Sequence, residues 1–315
     1  MPDGSVPDGS VPQGPEIPKS PFIGSLLQRC RFPTGRRELS CAVSGGADSL
    51  ALLVLAISAG LEVTAIHVDH GLREGSAGEA DLVAEVARRF GARFETRTLT
   101  LVGGPRGPNI EARARNARYA VLPPDVATGH TADDVAETVL LNLIRGSGLD
   151  GLAPLVGPGR LCRPLVALRR FETVGLCEEF GLVPFDDPMN HDDRFRRVRI
   201  RREVIPLLND IAARDVVGLL LRMADTLVDD IATLDAKAEE LDPTSAIELR
   251  AAPSGVARRA VRGWLTGRVG DGHPPSLAVV ERVLGVARGE MARADLVDGW
   301  RVARTGQRLR LERID

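Results

Sequence analysis

The chain is almost without lysine. Lys19 and Lys237 are the two lysines among 41 basic residues, the rest being arginine. Set against 43 Asp and Glu, they leave a formal net charge of −2, so no overall basic field advertises a nucleic-acid partner. Cysteine is scarce: Cys30, Cys41, Cys162 and Cys177 form neither a C-x-x-C pair nor a metal-spaced cluster. That spacing argues against a disulfide scaffold and fits a reduced, cytoplasmic protein. No run of 18 apolar residues occurs, so no helical membrane span is expected. The first twenty residues lack a signal-peptide core. The Gly-Lys-Ser/Thr ending of a Walker loop is missing, and so is the dinucleotide fingerprint.

What remains is the composition of a globular protein of 315 residues, with room for two domains. Residues 1–20 repeat Pro-Asp-Gly-Ser-Val at Pro2–Val6 and Pro7–Val11. Such a segment cannot bury a core and reads as a tail, with compact structure starting near Pro21. From Glu38 to Gly181 strands and helices alternate. Strands are expected at 38–43, Leu61–Asp69, Arg93–Leu101 and Asp125–Gly129, with a fifth at Leu161–Leu165. Helices are expected at 50–59, 76–90, Asn109–Leu122, Thr131–Arg145 and Arg170–Phe180. This alternation predicts an α/β fold, a parallel sheet with helices on both faces, over residues 21–193. Ligands of such sheets sit at the carboxyl ends of the strands. A basic connecting helix is expected over 194–209. Residues 210–315 read as a small, mainly helical second domain ending in a β-hairpin at Ala294–Arg313.

The chain is organised around Ser44-Gly45-Gly46-Ala47-Asp48-Ser49. It lies between a buried strand and an apolar helix. A glycine pair there lets the backbone turn tightly and approach an anion. The helix start behind it adds unpaired N–H donors and a partial positive charge. Ser44 and Ser49 add hydroxyls, and Asp48 is a candidate Mg²⁺ ligand. The plainer alternative is a tight turn whose Ser and Asp cap the helix.

Three further constellations carry chemistry. In Asn109–Leu122, Glu111, Arg115 and Arg118 share a helical stripe beside the expected nucleotide cleft. Gly129-His130-Thr131-Ala132-Asp133-Asp134-Val135-Ala136-Glu137 puts a histidine at a strand end and three carboxylates in the first helical turns. Helix dipoles favour acids there, but Asp133 and Glu137, at i and i+4, repel. A cationic ligand or Mg²⁺ would make that cluster useful, and without a second histidine at ligand spacing zinc is not expected. Asp69 ends the second strand in His67-Val68-Asp69-His70-Gly71. Finally Arg194, Arg196, Arg197, Arg199, Arg201 and Arg202 form a basic helix, either a solvated face or a track for a phosphate backbone.

The loop resembles the SGG-x-DS signature of the PP-loop ATP pyrophosphatases. Together with His67–Gly71, Asn109–Tyr119, Gly129–Thr138, Arg145–Leu152 and Arg196–Leu208, it resembles the tRNA(Ile)-lysidine synthetases, over about Ser40 to Leu311. The chain looks like that family's short form. The resemblance implies ATP and Mg²⁺ as cofactors, with Ser44 to Ser49 holding ATP. It implies L-lysine and a tRNA(Ile) with a CAU anticodon as partners, and a homodimer. ATP would adenylate C2 of the wobble cytidine, and lysine would then displace AMP. Asp69, Asp134 and Glu137 are candidates to hold or deprotonate lysine, a choice the sequence leaves open; Asp134 and Glu137 are read as lysine-binding and Asp69 as catalytic. Arg115 and Arg118 are candidates for the developing charge, and His130 is read as catalytic. Arg196, Arg197, Arg199 and Arg201 would meet tRNA. Two other readings stand beside this one. A tRNA thiolase of the same superfamily would need paired cysteines or an iron–sulfur cluster, and a non-catalytic ATP-binding module would need neither the acids nor the arginine track.

Overall fold

A computed structural model describes residues 20–69, 76–99, 117, 119–156, 161–186, 192–269 and 274–314. Arg115, Arg118, Glu111, His70 and the repeat of residues 1–19 lie outside the described residues. The chain divides into two compact units, Met1–Asp225 and Thr226–Asp315.

In the first unit, α1 (Pro21–Leu27) starts at a Ser20 cap whose hydroxyl accepts from Ile23 N–H at 3.1 Å. Strands β1 (Glu38–Ala42), β2 (Glu62–Asp69), β3 (Arg93–Thr98) and β4 (Ala127–Thr128) form one parallel sheet in the order β3-β2-β1-β4. The order reverses between β1 and β4, and a ligand crevice belongs at that switch point. Helix α2 (Ala47–Ser58) follows β1. Leu50 to Ala56 are wholly buried on all sides of this helix, each large side chain contributing about 1.5–3 kcal/mol relative to exposure. Leu39, Cys41, Val63 and Ala65 meet α2 and α3 (Ser76–Arg89) on one face of the sheet. Ile66 and Val68 meet Tyr119, Val121, Leu122 and Val126 on the other.

After β4 come α4 (Ala132–Ile144), the short α5 (Leu149–Leu152) and α6 (Arg170–Glu179). The fifth strand expected at Leu161–Leu165 is reduced to one parallel bridge between Cys162 and Ala127. Pro164 has no N–H to extend the ladder. The basic helix is interrupted as well: α7 (Arg196–Arg199), a π turn over Ile200–Val204, then α8 (Ile205–Ala212). Pro206 removes a helical donor at that point. Residues 210–225, expected in the second domain, fall in the first unit. Val216 and Val217 pack there with Ala132, Ala136 and Leu140 of α4. Ala213 adopts φ 50°, and Asn209 Oδ1 accepts from Val216 N–H at 2.8 Å, so the chain breaks between α8 and the long α9 (Val217–Glu239).

The second unit holds α10 (Ala246–Ala251), α11 (Ser254–Leu265) and α12 (Leu277–Arg288) around Val261, Leu265, Val280, Val283 and Leu284. Its sheet is antiparallel, β5 (Arg293–Asp295), β6 (Trp300–Thr305) and β7 (Arg308–Arg313). The expected hairpin is β6–β7, turning at Gly306 with φ 60°, and β5 adds a third strand. No helix among the described residues is long and apolar enough to cross a membrane.

Candidate functional site

The glycine pair turns the chain out of β1 as expected. Gly45 has φ 86°, a region that disfavours any side chain, and its carbonyl accepts from Phe185 N–H at 2.9 Å. Gly46 caps α2. Ser49 Oγ accepts from Ser44 N–H at 3.1 Å and donates to the Gly46 carbonyl at 2.9 Å. The loop is thereby closed on itself, with the first turn of α2 directly behind it. Gly129, just past β4, lies against that turn.

Asp48, in that first turn, does not stand alone. Its Oδ1 accepts from the Thr173 hydroxyl, and its Oδ2 lies 3.2 Å from Arg170 Nε. The same guanidinium donates through Nη2 to Asp134 Oδ1 at 2.9 Å and through Nη1 to Glu137 Oε1 at 3.0 Å. One arginine on α6 therefore joins the phosphate loop to two acids of α4. Burial is graded across the group: the side chains of Asp48 and Arg170 are 24 % and 25 % exposed, Asp134 14 %, and Glu137 not at all.

Burial pushes the Asp48 carboxyl up, and the charge of Asp134 adds to this, against the pull of Arg170 and Thr173. Asp134 is buried too, which alone would raise it. Arg170, His130, Arg197 and the Thr131 N–H outweigh that and hold its carboxyl below the usual range. Asp134 Oδ2 also accepts from Thr131 N–H at 2.9 Å, which caps the start of α4. Asp133 turns the other way. It takes a bidentate contact from Arg169, with both distances 3.1 Å, and accepts from Arg170 N–H at 2.7 Å.

The arginine track is divided. Arg197 Nε and Arg201 Nε reach Glu137 at 3.2 and 2.7 Å. Arg199 pairs with Glu203 on the exposed side, and Arg196 is exposed. Arg194 and Arg202 pair with Asp192 and Asp193. The sequence pattern suggests one outward face, whereas two of these side chains complete the cage around a buried glutamate.

His130 lies two residues beyond β4, its Nδ1 2.8 Å from Thr128 Oγ1, and its charge acts on Asp134. Asp69 ends β2, on the opposite side of β1 from β4. Arg170 is the residue that sequence reasoning missed; its signal was a charged residue at the start of a helix that otherwise packs on α2. Among the described residues no group of three or more His, Cys, Asp or Glu is disposed to hold a metal by itself. The cysteines are packed: burial pushes Cys30 and Cys177 up to about 12, and Cys41 upward as well.

Residues 22–208 match the PP-loop domain family. The chain is similar to proteins named tRNA(Ile)-lysidine synthase. It is 44 % identical to that of Nocardia farcinica over 249 residues, 74 % of this chain and 77 % of that one. For Rhodococcus erythropolis the identity is 40 % over 268 residues, 79 % and 81 % of the two chains. For Mycobacterium tuberculosis H37Rv it is 42 % over 245 residues, 72 % and 74 %. Among solved structures, a U34-tRNA thiolase from Methanococcus maripaludis with its iron–sulfur cluster superposes with a TM-score of 0.55 at 20 % identity. That match covers 66 % of this chain and 80 % of the other, and at this identity it speaks for the fold alone.

Proposed function

This chain belongs to the tRNA(Ile)-lysidine synthase family of PP-loop proteins, and from that premise we propose how its residues divide the work. The reaction is ligation of L-lysine to C2 of the wobble cytidine of tRNA(Ile) with a CAU anticodon. ATP is cleaved to AMP and pyrophosphate through an adenylated cytidine. A carbonyl oxygen leaves poorly; bonded to AMP it leaves well, and the ε-amine of lysine can then attack C2.

Ser44 to Ser49 and the start of α2 hold the phosphates. Asp48 is the carboxylate that would hold Mg²⁺, an ion commonly held by one or two carboxylates together with substrate phosphates rather than by an all-protein cage. Bound there, Mg²⁺ would neutralise phosphate charge. Asp134 and Glu137 draw lysine's ammonium, Asp134 being the more accessible of the two. The reacting amine, with an ordinary pKa of roughly 10.4, must lose a proton, for which Asp69 is the candidate. Arg115 and Arg118 are assigned to the charge developing at phosphate and cytosine. Arg196 and Arg199 face the tRNA backbone, and the second domain is assigned to tRNA binding as well. The protein works in the cytoplasm.

The observation that carries this reading is the single guanidinium of Arg170 within 3.2 Å of Asp48, Asp134 and Glu137. It puts the acid of the phosphate loop and the two acids assigned to lysine in one cluster. The test separates the two half-reactions. tRNA-dependent adenylate formation is measured without lysine, then lysidine formation over a range of lysine concentrations. Asp134→Asn and Glu137→Gln should leave the first near the parent rate and raise the lysine requirement. Loss of adenylation itself would move these carboxylates to the nucleotide.

A further inference from the structure

Arg170 is the least expected member of the site and the best connected. It opens α6, and its backbone N–H is fixed by Asp133 Oδ2 at 2.7 Å. Farther along the same helix, Cys177 Sγ rests 3.6 Å from the Ala47 carbonyl, in the first turn of α2. The helix that carries Arg170 is therefore tied down at its start and again two turns on. Each of the side chain's three nitrogens then faces a different carboxylate: Nε Asp48, Nη1 Glu137 and Nη2 Asp134. Asp48 comes from α2, the other two from α4. Without a cation among them, three carboxylates at this spacing repel and would spread apart.

We propose that Arg170 is the positioning residue that couples the nucleotide half of the site to the amino-acid half. Its planar fork sets the carboxylate of Asp48 against those of Asp134 and Glu137, so that ATP and lysine are held in register for attack. A lysine at this position would keep the charge but lose the fixed fork, and could not serve three acceptors in the same geometry. The inference rests on the assignment of Asp48 to ATP and of Asp134 and Glu137 to lysine made above.

The experiment compares full-length Arg170→Lys, Asp134→Asn and the double variant with the parent. The readouts are melting temperature, the ATP requirement for tRNA-dependent adenylate formation, and the KM for lysine in lysidine formation. Positioning predicts that Arg170→Lys melts near the parent yet raises both the ATP and the lysine requirement by roughly tenfold. That is the size expected for loss of a charge-assisted hydrogen bond. The double variant should then show a lysine KM well below the product of the two single effects, because both changes act on one contact.

Parental requirements for both substrates in Arg170→Lys would overturn the proposal, as would a change in one alone. A lowered lysine KM would overturn it too, since the guanidinium would then be competing with the substrate's ammonium. Asp134→Asn keeps the two ideas apart. A parental lysine KM there removes lysine from Asp134, and with it the contact that Arg170 is proposed to set, whatever Arg170→Lys does. A raised one beside a parental Arg170→Lys removes the coupling alone.

Discussion

Gly129 approaches Asp48 so closely that a Cβ built on the glycine would lie 2.6 Å from the Asp48 carbonyl oxygen. The next nearest atoms, Asp48 C at 2.7 Å and Ser49 N at 3.0 Å, are also backbone. None can rotate away, so Gly129→Ala must push the end of β4 and the start of α2 apart. Overpacking of this kind costs about 1–3 kcal/mol. The variant should melt several degrees lower and need more ATP for adenylate formation. A parental melting temperature together with a parental ATP requirement would refute the packing argument.

Asp48→Asn should separate stability from chemistry. Burial, reinforced by Asp134, raises the Asp48 carboxyl in the folded protein despite Arg170 and Thr173. A carboxyl that holds its proton more tightly when folded loses stability as pH rises through its titration. Asparagine has nearly the same shape and no charge to bury. Arg170 keeps Asp134 and Glu137 as partners. Measured in EDTA at neutral pH, the variant should melt at or above the parent temperature while making no AMP. A clear drop in melting temperature would make Asp48 a structural cap instead.

The arginines of residues 194–202 should fall into two classes. Arg196→Gln with Arg199→Gln should weaken tRNA binding and flatten its salt dependence, by about 0.7–0.9 of a unit of slope for each phosphate left without its arginine. Melting should hardly change, because exposed pairs such as Arg199–Glu203 contribute about 0–1 kcal/mol. Arg197→Gln with Arg201→Gln should destabilise instead, since two of the three cations around a fully buried Glu137 are removed. Equal melting of the two double variants would show that the division has no energetic content.

The parts legible in the sequence were those set by local rules. The glycine pair, the apolar run of α2, the Thr131–Asp134 cap and the strand–helix alternation each announce themselves within a few residues. The Arg170 group does not. Its partners lie 122, 36 and 33 residues away, and neither propensity nor periodicity carries contacts at such separation. The arginine track misled for a related reason. Arg197 and Arg201 are spaced like a solvent-facing pair, and the buried acid that turns them inward sits on another helix. Leu161–Leu165 has a strand's apolar pattern, but Pro164 cuts its ladder to a single bridge.

Asp134 carries the pH dependence, and its sign follows from its surroundings. Burial alone would raise its carboxyl, but Arg170, His130, Arg197 and the Thr131 N–H together hold it below the usual range. The unfolded chain, with a carboxyl near about 3.9, therefore takes up a proton before the folded one does. The stabilisation is fully present above that unfolded value and is lost as pH falls through the lower, folded one. Asp134→Asn removes the titrating group. It leaves Arg170 with Asp48 and Glu137, and the cap at Thr131 with an amide oxygen as acceptor. The variant should accordingly melt below the parent at neutral pH, and the gap should close as pH falls below about 4. Asp48 titrates in the opposite sense, so the comparison has to be the difference between parent and variant, not the parent's curve alone. Thermal melts of both proteins at intervals from about pH 7 to about pH 3 supply it. A gap that stays constant over that range would mean that Asp134 acts as a neutral cap, and that its pairing with Arg170 contributes no stability.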